Sequence, residues 1–185
     1  MADLVVWPMS IRLAGDDLKG MQHTMNGMVE RVKIFLKDNG FEDSEITLSV
    51  PEIRDNFAFS SPQTKSYRFF IRLRMVLRTN KVKQVLLAVN KTVELVGYGI
   101  VLSEEYDAKP TFLFTKLNEI KPEMIKEATL NARAAAEQFA MDSGVNVGNI
   151  QQATQGFFTV EDRDLGSPQF KNIRVVTNVN YYLSN

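Results

Sequence analysis

Apolar residues recur along the chain at two spacings, and these divide it into strand and helix segments. Leu4 to Leu13 reads as a first strand carrying Trp7 and Pro8. Proline has no ladder donor, so this strand suits an edge or a bulge better than a sheet centre. Leu18, Met21, Met25, Met28, Val32 and Phe35 then repeat at three- and four-residue steps, which predicts a helix. Asp16 and Asp17 can cap its start, and Asn39-Gly40-Phe41 fits a left-handed glycine stop with a hydrophobic residue just beyond.

Ile46, Leu48 and Val50 alternate on one parity, and Ile53, Phe57 and Phe59 on the other. A β-bulge at Pro51-Glu52 would return them to a single face. Ser60-Ser61-Pro62-Gln63 is turn-like, after which Tyr67, Phe69, Ile71, Leu73, Met75 and Leu77 alternate with Arg68, Arg72, Arg74 and Arg78. This strongest strand pattern in the chain predicts a long hairpin with the strand before it. Asn80 can cap a second helix with the stripe Val82, Val85, Leu86, Val89 and Val93, closed by Gly97.

Ile100 to Ser103 and Thr111 to Thr115 read as short strands around the polar Glu104 to Pro110 loop. The longest helix has Pro122 near its start, a stripe of Ile125, Ala128, Ala132, Ala135, Ala136 and Phe139, and Gly144 at its end. Strands near Ile150 to Val160 and Ile173 to Leu183 close the chain around the polar Glu161 to Pro168 loop. The order β-α-β-β-α-β-β-α-β-β predicts an α+β fold, antiparallel sheets packed against about three helices. No linker forces a boundary, so 1–185 reads as one domain. The stops Asp38-Asn39-Gly40-Phe41 and Asp142-Ser143-Gly144-Val145 repeat one pattern, which capping chemistry or an internal duplication could produce.

Composition narrows the function classes. The 185 residues hold 22 Lys+Arg and 22 Asp+Glu, and zero formal charge argues against a wholesale nucleic-acid or membrane-surface binder. No cysteine is present, so thiol nucleophiles, iron-sulfur clusters and Cys zinc sites are excluded together. The single His23 rules out a two-His zinc site within one chain. No apolar run approaches the roughly 20 residues that span a bilayer. No GxGxxG, Walker A, GxSxG or HExxH pattern occurs. Catalytic residues, metal ligands and cofactor contacts are therefore not expected.

Candidate chemistry is local. Between Asn56 and Val93 there is no Asp or Glu, while Lys65, Arg68, Arg72, Arg74, Arg78, Lys81, Lys83 and Lys91 are present. A basic strand over 65–83 could hold nucleic acid or an anionic surface, through Arg68, Arg72, Arg74 and Arg78. The simpler account is a solvated sheet face whose arginines pair across the hairpin with Asp55 and Glu52. His23 falls opposite the Met21 and Met25 stripe, on an outer helix face with Gly20, Thr24 and Gly27. Small residues there admit close approach of another chain, so Gly20, Thr24 and Gly27 are candidate oligomer contacts. Glu104-Glu105-Tyr106-Asp107 and Glu161-Asp162-Arg163-Asp164 are acidic loop clusters that could hold a cation or supply acid-base groups, or simply be solvated turns.

From Phe112 the wording becomes specific: Phe112-Leu113-Phe114-Thr115-Lys116-Leu117-Asn118, Lys121-Pro122, Ala134-Ala135-Ala136-Glu137-Gln138-Phe139-Ala140, Asp142-Ser143-Gly144, Gln155-Gly156-Phe157-Phe158 and Asp162-Arg163-Asp164. With Ala2-Asp3-Leu4-Val5-Val6-Trp7-Pro8 and the closing Arg174-Val175-Val176-Thr177 to Tyr182-Leu183, their order resembles the SIMPL-domain family, the YggE-like bacterial envelope proteins. The resemblance implies a periplasmic or membrane-anchored protein linked to envelope and oxidative stress. It implies no established enzymatic activity and a tendency to self-associate, so a homo-oligomer and an envelope protein partner are the expected contacts. Family members usually carry a signal or anchor helix and a further strand before the Ala-Asp-Leu segment. The expectation is that both are missing here, leaving no membrane attachment in these residues.

Overall fold

In the computed structural model, which describes residues 1–58, 67–102 and 109–184, the chain folds as α+β with three helices and two antiparallel sheets. It forms two compact units, Asp3–Leu113 and a second made of Met1–Ala2 with Phe114–Asn185.

The first unit is organised by alternation in two long strands, β1 (Leu4–Gly15) and β4 (Phe69–Thr79), which pair antiparallel along their length. Val5, Trp7, Met9 and Ile11 of β1, and Ile71, Leu73, Met75 and Leu77 of β4, are all buried on one face. Helix α1 (Leu18–Asp38) buries Met21, Met25, Val29, Val32, Phe35 and Leu36 in the same core, and helix α2 (Val82–Lys91) adds Val82, Val85 and Ala88. Val29 replaces Met28 as the buried residue of the third α1 turn, because the stripe drifts by one position over several turns.

The break at Pro51-Glu52 is a bulge. Strands β2 (Ile46–Leu48) and β3 (Glu52–Asp55) both pair with β4, and one extra residue separates the registers Leu48↔Met75 and Glu52↔Arg72. Ile46, Leu48 and Ile53 thus stand opposite Leu77, Met75 and Ile71, on one face as the parity switch requires. Asn56–Ala58 is a 3₁₀ turn, so the strand stops short of Phe57; Phe59 and the 60–63 turn lie outside the described residues. Strand β5 (Thr111–Leu113) pairs with Leu4, Val5 and Val6 alone. Past Val6, no strand pairs with the outer side of β1 among the described residues, an edge position that suits Pro8.

The second helix differs from expectation at both ends. Its N-cap residue is Lys81, with no side-chain cap, and Asn80 contributes only its backbone carbonyl, which accepts the Val82 N–H at 2.9 Å. After Lys91 the chain tightens into a 3₁₀ segment, Thr92–Tyr98, closed by Gly99 rather than Gly97. Ile100 donates its N–H to the Leu95 carbonyl at 3.1 Å and is fully buried, so it seals this stop instead of opening a strand. Residues 100–102 pair with no strand, and Ser103 is outside the described residues. The same geometry ends α1, where Gly40 has φ +90° and Phe41 N–H reaches Leu36 O at 3.1 Å. It also ends the third helix, where Gly144 has φ +70° and Val145 N–H reaches Ala140 O at 3.0 Å. A capping motif used three times accounts for the repeated stop pattern.

The second unit contains helix α3 (Leu117–Asp142) and a ribbon of two long strands, β6 (Asn146–Asp162) and β7 (Lys171–Ser184). Ala2 joins it by donating its N–H to Gln169 O at 2.7 Å. Ala128, Ala132, Ala136 and Ala140 lie along the helix side that meets the ribbon, but Ala135 and Phe139, placed in that stripe by the helical spacing, are exposed. A single helix laid on two strands offers too little cover to close over a phenylalanine at the margin of its stripe.

Candidate functional site

The structure separates the four arginines of the basic strand. Arg68 precedes β4 and gives both Nε (3.1 Å) and Nη2 (3.0 Å) to Asp55 Oδ2, which holds the Asp55 carboxyl below the ordinary carboxylate range. Arg72, Arg74 and Arg78 share the β4 face opposite the core, across from Arg12, Ser10 and Val6 of β1. Arg72 gives its Nε–H to Ser10 Oγ at 3.2 Å and stands across from Glu52 on its other side. The Arg74 strand segment is tied to the bulge, with Ser49 N–H to Arg74 O at 2.9 Å and Arg74 N–H to Ser49 Oγ at 3.2 Å. Pairing with Asp55 and Glu52 thus has the geometry that cross-strand chemistry anticipates. Of the nearby aromatics, Phe70 lies on the arginine face, whereas Tyr67 is exposed and outside the strand. Lys65 lies outside the described residues.

Lys81 belongs to a different structure. Its ammonium bonds Glu45 Oε2 and the Gly40 carbonyl, both at 2.9 Å, while Glu45 Oε1 accepts from the Thr79 hydroxyl at 2.6 Å. Glu45 also accepts the Glu42 backbone N–H at 2.8 Å. This knot ties the end of α1 to the end of β4. Burial alone would raise the Glu45 pKa, but the bonds from Thr79, the Glu42 backbone and Lys81 outweigh it and hold the carboxyl low. The bond to Glu45 in turn raises Lys81.

Gly20, His23, Thr24 and Gly27 all lie on the exposed face of α1, as the helix periodicity places them. A Cβ at Gly20 would stand 2.5 Å from Asp17 Oδ2, and Asp17 caps the helix by accepting the Lys19 N–H at 3.1 Å. The glycine therefore makes room for the cap. Thr24 gives its hydroxyl to Gly20 O at 3.0 Å, and Gly27 has open space above it.

The acidic turn between β6 and β7 is occupied by its own ion pairs. Asp162 accepts from Lys171, Arg163 gives Nε–H to Asp164 Oδ2 at 2.8 Å, and the Arg163 guanidinium sits 4.5 Å over the Phe170 ring. Arg163 holds Asp164 below the ordinary range. Among the described residues no three His, Asp or Glu side chains gather as a metal cluster. Glu104 to Asp107 lie outside the described residues.

Two further surfaces have no signature in the run of residues. On the β1–β4–β3 face, Arg12 stands directly across from Arg72, and Arg54 across from Phe70, around a groove of about 510 Å³. Arg12 and Arg54 follow strand alternation, but only the pairing register brings them together. In the second unit, Phe157 is 94% exposed and Phe139 73% exposed, with Met141, Leu165 and Tyr182 also open to solvent. There the groove between α3 and β7, about 440 Å³, is lined by Thr177, whose buried hydroxyl has no hydrogen-bond partner among the described residues. Ribbons of two strands have free edges on both sides.

No helix of the described residues is long and apolar enough to cross a membrane. A family model described as SIMPL, protein of unknown function (DUF541), matches residues 1–174. No curated protein matches the chain.

Proposed function

We propose, for a chain that belongs to the SIMPL family of proteins of unknown function, a non-catalytic role as a bacterial envelope module that acts through self-association or protein contacts. The observation that carries this reading is how little of the second unit's apolar side chains is covered. A helix and a two-stranded ribbon leave Phe139, Phe157, Met141 and Leu165 in water, with long strand edges beside them. These side chains stand at separate points of the second unit, and together with strand edges that no further strand covers among the described residues they offer apolar area and pairing groups to another chain. The unpartnered Thr177 hydroxyl in the α3–β7 groove adds a polar group that a partner could satisfy. The periplasmic setting, membrane anchoring and a part in envelope or oxidative stress rest on the likeness of sequence motifs. A non-catalytic role is supported by the commitment of Asp162 and Asp164 to turn ion pairs.

Sedimentation velocity at low and high salt tests the reading. The unaltered chain is expected to sediment as a discrete oligomer, and a Phe139→Ser, Phe157→Ser double variant with unchanged circular dichroism as a monomer. A monomeric parent at every concentration, or turnover of a defined small substrate by the pure protein, would overturn it. Loss of assembly on changing Thr24 to a larger residue, with the phenylalanine variant still assembled, would move the contact to the outer face of α1.

A further inference from the structure

The open face of the first unit carries three arginines within one cross-strand neighbourhood. Arg12 and Arg72 are direct Cα partners on β1 and β4, and the next pair outward sets Arg54 of β3 across from Phe70. Among the described residues only Glu52, across from Arg72, brings a carboxylate to the groove that these residues line. Like charges placed directly opposite on neighbouring strands repel, so such a pair becomes favourable when an anion bridges it. Arg12 and Arg72 already make interactions within the chain, and Arg72 is oriented by its bond to the buried Ser10 hydroxyl. A guanidinium has five donors in a rigid fork, so an engaged arginine keeps capacity for an oxyanion and arrives pre-oriented.

We propose that the groove bounded by Arg12, Arg54, Arg72 and Phe70 is a binding site for the phosphate group of a small organic phosphate, with the Phe70 ring receiving the body that carries it. The volume of about 510 Å³ is of small-molecule size. A polymer track is less well served: Arg74 and Arg78 continue the same β4 face but neither lines the groove, and Arg68 is committed to Asp55.

Calorimetric titration of the full chain at low salt with phenyl phosphate, inorganic phosphate and a single-stranded oligothymidylate tests the site. Phenyl phosphate is expected to bind saturably, more tightly than inorganic phosphate, with affinity reduced about tenfold or more by Arg12→Gln and by Arg54→Gln, and unchanged by Arg78→Gln. Phe70→Leu should remove the preference over inorganic phosphate. Both tested arginines are exposed, and circular dichroism checks that each variant folds. Absence of saturable heat, or equal binding by parent and both variants, overturns the proposal. Tighter binding of the oligonucleotide that falls with Arg78→Gln also overturns it, in favour of a nucleic-acid track along the strand. These outcomes are independent of assembly state.

Discussion

Strands β4 and β7 carry the same alternating pattern and meet different fates. In β4 the apolar positions Ile71, Leu73, Met75 and Leu77 are buried, whereas in β7 Ile173, Val175, Val179 and Tyr181 remain half-buried. Apart from Ala2 and Ala140, every buried apolar residue among those described belongs to Asp3–Leu113. The difference lies in cover. The first unit sets α1 and α2 with long aliphatic, methionine and phenylalanine side chains against a five-stranded sheet, and the second sets a helix whose inner side is largely alanine against two strands. Alternation states which way a side chain points; the number and bulk of the opposing layers state whether water leaves it.

The contrast breaks first at the core. Met75→Ala should lower stability by about 2–5 kcal/mol, through lost apolar burial and the cavity left behind. Phe139→Ala should change it by less than about 0.5 kcal/mol, because that ring is already in water. Urea unfolding measures both, and equal losses would show that the second unit is as well packed as the first.

A smaller effect is expected at the polar knot. Thr79→Val removes a buried hydroxyl donor from Glu45 and should cost about 1–3 kcal/mol near neutrality. The pH dependence has a definite sign. A carboxyl held below its ordinary value of 4.5 contributes stability that is present above that value and lost as pH falls through the lowered one. Lys81, raised above 10.5, contributes fully below that value and loses its share as pH rises through the raised one. The parent and Thr79→Val should therefore converge in urea midpoint at acid pH and differ most at neutral pH. A constant gap across the acid range would assign the loss to packing instead.

The smallest expected change sharpens the comparison between helix ends. Gly40→Ala and Gly144→Ala each force a left-handed residue and should cost about 1 kcal/mol or slightly more. In the first unit the cost should appear in global unfolding. In the second it should appear as faster amide exchange in the last turns of α3. Identical global losses would mean that the two units unfold together.

Much of the fold is legible in the residue order. The stops of α1 and α3, the Pro51-Glu52 bulge, the β3–β4 hairpin and the exposed face of α1 follow from local rules of capping, parity and periodicity. Ile100 misleads because a hydrophobic residue just after a left-handed glycine looks, locally, like the start of a strand. Phe139 misleads because helical spacing locates a side chain around the axis without saying what stands opposite. The candidate sites are less legible. Arg68, Arg72, Arg74 and Arg78 stand out as a run, yet their separation between Asp55, the sheet face and the far end of β4 depends on the register. The pairing of Arg12 with Arg72 joins positions 60 residues apart and has no local signature.

The order of residues alone thus settled the main helices and long strands, the Asp17 cap, the glycine stops of α1 and α3, the family and the absence of cysteine chemistry, because each depends on near neighbours or on composition. Tertiary structure alone decided which apolar faces are covered and which arginines share a groove. Both depend on contacts between distant segments, where burial is set by the layers available and charge by the strand register.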